Sequence, residues 1–250
     1  MKQASTIDEV ISILEDIITQ SKEDKSPLGY FAALYRKVTS KVKEGINDGF
    51  FENGPRMEQL DVIFANRYIE ALYAYQEKEP VTSSWKKAFE LTAKYRPIVL
   101  QHLLMGMNAH INLDLGIAAV QVMHDKDIDD LEGDFNKINE ILSSLVEEVE
   151  QDLANIWRPL RLLLKLAGKI DNYLTDFSMQ LARDGAWRFA RKLAATPVED
   201  QQTMIIERDE KVTHKARIIT HPGILVSLLF GGIRLGERGT VVERIGELEG

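Results

Sequence analysis

The stretch Tyr95–His124, YRPIVLQHLLMGMNAHINLDLGIAAVQVMH, reads as one long apolar helix that carries Asn108, His110, Asn112 and Asp114. Pro97 suits its first turn, and the helix is expected over about residues 97–123. On a helix His110 and Asp114 lie four residues apart, about 40° around the axis, so their side chains share a face; Asn108 and Asn112 pair in the same way on another side. A helix that is apolar all round is usually buried, and polar groups taken inside with it must find partners. This helix is therefore expected to be the centre of the fold and to carry the site.

The flanking chain repeats the helical pattern. Ile7, Val10, Leu14 and Ile17 are spaced along a first helix capped by Ser5 or Thr6, and Phe31, Leu34, Tyr35 and Val38 along a second that follows Pro27. Pro55 opens a third to about Gln76, and a short one is expected over Ser83 to Lys94. From Asp134 a stripe of Phe135, Ile138, Leu145 and Leu153 runs to Ile156, and Pro159 must break it. One or two helices should fill residues 160–196, with a long one from Pro197 to the His221-Pro222-Gly223 turn and an apolar one after it. No run of period two competes, so the fold class is all-α: a single multi-helix, bundle-like domain over residues 1–250, with a mobile tail expected from about 234, where Gly236 and Gly239 loosen the chain.

Composition narrows the function classes. A net charge of −8 argues against general affinity for nucleic acid, which depends on positive charge. The absence of cysteine removes disulfides, thiolate nucleophiles and cysteine-ligated metals, and suits a cytoplasmic protein. The acidic residues of the N-terminal twenty interrupt any secretory leader, and the apolar run Gly223–Ile233 is too short to span a membrane. No phosphate loop, nucleophile elbow or H-E-x-x-H helix occurs. Asp125-x-Asp127-x-Asp129 begins like a calcium loop, but Asp130 stands where glycine is needed, so a solvated turn is expected there.

Besides a metal-free acid-base pair, two readings of His110 and Asp114 stay open. In one they are ligands of a divalent metal ion in a metal-assisted hydrolase, with Asp61 or Asp134 as further ligands, Asn108 and Asn112 orienting substrate, and His102 joining the same side through the gap left by Gly106. In the other they are a buried structural pair in a non-catalytic module that binds a lipid, a small apolar ligand, a protein partner or a second copy of the chain, motivated by Gly223–Ile233 and the basic segment Arg158–Lys169. Asp61 shares its face with Ala65 and Tyr68, and an ion pair with a basic residue of a neighbouring helix is expected for it.

The segment GMNAHINLDLGIA, with LDVIFANRYIEAL at Leu60–Leu72 and RDGAWRFA at Arg183–Ala190, resembles an uncharacterised bacterial family of unknown function whose hallmark is Asn-Ala-His-Ile-Asn-x-Asp-Leu, here Asn108 to Leu115. That resemblance implies no established activity. The His-x-x-x-Asp helix is also similar to one ligand pair of the helical zinc-dependent phospholipases C and single-strand nucleases, whose second histidine-bearing helix this sequence lacks.

Overall fold

In the computed structural model the described residues are 3–157 and 179–250, and among them no strand occurs. The order is α1 (Ile7–Glu23), α2 (Leu28–Asn47), α3 (Gly54–Gln76), α4 (Ser83–Leu91), α5 (Val99–Ala109), a π-helical turn (His110–Asp114), α6 (Leu115–Val122), a 3₁₀ turn (Ile128–Leu131), α7 (Glu132–Ile156), α8 (Met179–Ala194), α9 (Val198–Thr220), α10 (Ile224–Gly236) and α11 (Val241–Glu249). The all-α reading holds. The expected helices over 160–178 and the basic segment from Arg158 to Lys169 lie outside the described residues.

The central helix is one rod in three pieces, α5, the π turn and α6. The stretch Val99–Val122 has the length and apolarity of a membrane-crossing helix, but 83% of its apolar 18-residue window is buried inside the fold, so its apolar surface is spent on other helices. Helices α2, α4 and α9 pack on α5, and α3 and α8 on α6. The π turn meets α3, α8 and α9.

Local chemistry sets the outer helices. Thr6 accepts the Glu9 amide at the start of α1, and Asn53 accepts the Arg56 amide at the start of α3. Three helix starts, those of α4, α5 and again α3, also draw on carboxylates from far along the chain. Asp209 of α9 accepts from the amides of Ser83 and Ser84 at 2.6 and 3.0 Å, Glu237 from that of Val99 at 2.7 Å, and Asp134 of α7 from those of Glu52 and Asn53 at 2.6 and 3.0 Å. A negative group at exposed amides of a helix start satisfies orphan donors and the helix dipole together.

The C-terminal end departs from expectation. Instead of a loose tail, residues after Gly239 form α11, which packs on α1, α2 and α7 with Ile245 and Leu248 buried. The reason is local: Thr240 and Glu243 form a capping box that starts a helix directly after the glycine, and its apolar side fits the surface left open by α1 and α2. Of the adjacent aromatics between α2 and α3, Phe51 is buried in the core, while Phe50 stays 36% exposed.

Candidate functional site

The π turn shapes the site. An i→i+5 bond from the Leu115 amide to the His110 carbonyl widens the rod by one residue, a feature often found where function needs side chains re-aimed. His110, Asn112 and Asp114 are all buried. His110 Nδ1 lies 3.3 Å from Asp114 Oδ2, so the expected pair forms.

Asp114 has further partners. Arg67 Nε donates to Oδ1 at 2.8 Å and Trp85 Nε1 to Oδ2 at 2.7 Å. Burial pushes its pKa up, but Arg67, His110 and Trp85 outweigh that and hold the carboxyl below its usual range. Burial also keeps His110 neutral, lowering its pKa against the pull of Asp114. An ionised Asp114 accepts the Nδ1 proton, which leaves Nε2 as a bare acceptor, and that nitrogen has no hydrogen-bond partner among the described residues.

Aromatic rings fix the imidazole. Phe64 stacks on it at 3.5 Å between centroids with 5° between planes, and Tyr35 meets it edge-on at 4.6 Å. Phe31, Tyr68 and Trp85 complete the surround at 5.8, 6.2 and 5.8 Å.

His110 opens on a cavity of about 240 Å³ between α2, α3, α5, α6, α7 and α8, whose wall is almost wholly apolar. Leu34 and Val38 of α2, Leu60 and Phe64 of α3, Leu103 and Met107 of α5, and Leu142 and Val149 of α7 form much of it. Asp61 and Arg183 are set among them. Asp61 is 6% exposed and its Oδ2 has no partner. Burial, with a smaller push from the Glu58 charge, raises its pKa to about 7.

That finding corrects the ion pair expected for Asp61. The two arginines of α3 are committed elsewhere, Arg67 to Asp114 and Arg56 to Asp134 at 3.0 Å, and among the described residues no cation forms an ion pair with Asp61. Asn108 and Asn112 face away from the cavity: Asn108 Nδ2 donates to the Val212 carbonyl at 3.0 Å and Asn112 Nδ2 to Asn108 Oδ1 at 3.3 Å, joining the rod to α9. Asp134 caps α3 and is no neighbour of His110. His102 does not reach His110 either, because the Phe31 ring occupies the space beside Gly106, and the His102 ring packs on Tyr30 instead. Among the described residues no three His, Asp or Glu side chains stand close enough to share a metal ion.

Sequence reasoning did not single out Tyr35, Phe64, Arg67, Trp85 or Arg183. Phe64 and Arg67 lie in LDVIFANRYIEAL and Arg183 in RDGAWRFA, so two of the three quoted segments meet at the third. Convergence of distant segments on one polar pair was the available signal.

Fold and site together define an all-helical protein with a buried Arg-Asp-His network beside an apolar cavity. A family model described as a family of unknown function, DUF5995, matches residues 7–222, and the chain belongs to that family. No curated protein and no solved structure matches it.

Proposed function

We propose that this protein binds a small, mainly apolar ligand in the cavity beside His110. The observation that carries the reading is the pairing of an apolar enclosure with polar atoms that lack protein partners, Asp61 Oδ2 and His110 Nε2. Leaving such atoms buried and unmade costs about 1–3 kcal/mol each, so a fold that keeps them gains when a ligand supplies the missing hydrogen bonds. About 240 Å³ is slightly below the roughly 300–1,000 Å³ of common ligand pockets, which suits a small molecule.

The metal-assisted hydrolase has less support. Both oxygens of Asp114 already accept from Arg67, Trp85 and His110, and a metal ion there would stand against the Arg67 cation. The donor set is also short, since a catalytic metal ordinarily takes three protein ligands. His110 and Asp114 are instead a positioning pair: the carboxylate fixes the tautomer and Phe64 fixes the ring plane.

Calorimetric titration with indole, a neutral molecule small enough for this cavity, tests the reading. Saturable one-to-one binding is expected for the unaltered protein and loss of it in Met107→Trp, whose larger side chain enters the cavity from a half-buried position, with thermal melts to check that the variant stays folded. Equal binding by both proteins would place the indole elsewhere and remove the proposal.

A further inference from the structure

The unusual group in the cavity wall is a cation. Arg183, in the second turn of α8, is 2% exposed, and its guanidinium carbon lies 4.9 Å from the centre of the Phe135 ring. Nη2 donates to the Phe135 carbonyl, while Nε and Nη1 have no hydrogen-bond partner among the described residues. Asp184 is the charged neighbour that acts on it, through space and without a hydrogen bond to the guanidinium.

Asp61 and Arg183 share the cavity but not the same predicament. Asp61 relieves its burial by taking up a proton, with a pKa of about 7. Arg183 has no such exit: burial lowers its pKa only to about 10, so it is charged at every physiological pH. A buried guanidinium with two idle donors is costly unless an anion meets it, and its planar fork matches a carboxylate.

We infer that the ligand of this cavity is an aliphatic monocarboxylate of medium chain length whose carboxylate is bound by Nε and Nη1 of Arg183. This rests on the binding reading above and adds the charge and position of the ligand's head group. Ile138, one turn along α7 from Phe135, together with Leu115, Leu142 and Leu145, supplies aliphatic walls for the chain. At about 30 Å³ for each water-sized group, 240 Å³ holds about eight of them, which limits the chain to roughly eight to ten heavy atoms.

Calorimetric titration with octanoate and with octanol, both below their aggregation concentrations, tests the head group. For the unaltered protein, octanoate is expected to bind at least ten-fold more tightly than octanol. In Arg183→Met, octanoate should lose at least ten-fold in affinity while octanol changes less than two-fold. Octanol binding as tight as octanoate, in the unaltered protein, would overturn the assignment and leave the apolar-ligand reading standing; binding of neither compound would overturn both. The comparison within the unaltered protein decides the matter even if the variant fails to fold. A preference for octanoate that survives in a folded Arg183→Met would also overturn it.

Discussion

Arg67 Nε sits 2.8 Å from Asp114 Oδ1, joining the middle of α3 to the π turn of the central rod. Asp114 is 1% exposed and Arg67 is partly open to solvent, so the carboxylate depends on the pair more than the guanidinium does. Breaking a buried pair from one side costs about 3–5 kcal/mol. Arg67→Met is therefore expected to lower stability by about 3 kcal/mol, which in a chain of this size means a melting temperature lower by roughly 6–12 °C. Differential scanning calorimetry at neutral pH gives the number.

Asp61 makes stability depend on pH in a direction unusual for a carboxylate. Its pKa is about 7 in the folded chain against an ordinary 3.8, so over that interval the folded state holds a proton the unfolded state has released. Stability is then fully present below about pH 4 and declines as pH rises through 7, by on the order of 4 kcal/mol for this group. Asp61→Asn, which keeps the shape and cannot ionise, should be more stable than the unaltered protein at pH 8 and equal to it near pH 4. Urea denaturation at a series of pH values reads both.

His102 acts the other way. Burial, aided by the charge of Arg234, lowers its pKa to about 4 from an ordinary 6.5, so the unfolded chain takes up the proton first as pH falls. Its contribution is present above 6.5 and is lost on the way down to 4, by about 3 kcal/mol. This window overlaps that of Asp61 with the opposite slope, so the two contributions largely offset in the unaltered protein, and His102→Gln should make stability fall more steeply between pH 4 and 7 in the same urea series.

Gly106 lets Phe31 lie against the rod between His102 and His110. A Cβ at this position would stand 2.5 Å from Phe31 Cγ, far inside van der Waals contact. Gly106→Ala gains a little helix propensity, up to about 1 kcal/mol, but must displace the ring, and overpacking costs about 1–3 kcal/mol. Net destabilisation is expected, with weaker binding of indole because Phe31 also lines the cavity. Thermal melts and the calorimetric titration give both quantities.

Removal of residues 240–250 uncovers apolar surface on α1 and α2. Ile245 and Leu248 are 0% and 1% exposed, and burying each contributes about 1.5–3 kcal/mol. The shortened chain is expected to lose about 3–6 kcal/mol and to bind a surface-seeking dye that the full chain does not, both measurable in one thermal-shift experiment.

The sequence by itself determined that the protein is helical, where most helices begin and end, and that the stretch around His110 and Asp114 lies inside. Those results follow from 3.6-residue periodicity, prolines and caps, which act over neighbouring residues and are written in order along the chain. It also placed the His-Asp pair, because four residues of helix bring two side chains together whatever surrounds them. The tertiary structure decided the rest. Asp134, Asp209 and Glu237 became helix caps, Arg67 took up Asp114, and Asp61 Oδ2 and Arg183 Nε and Nη1 found no partner among the described residues, because each outcome depends on which distant groups the fold brings within about 3 Å. α11 lies between these cases: Thr240-x-x-Glu243 spelled out its start, but only the open groove on α1 and α2 gave its apolar face a place to dock.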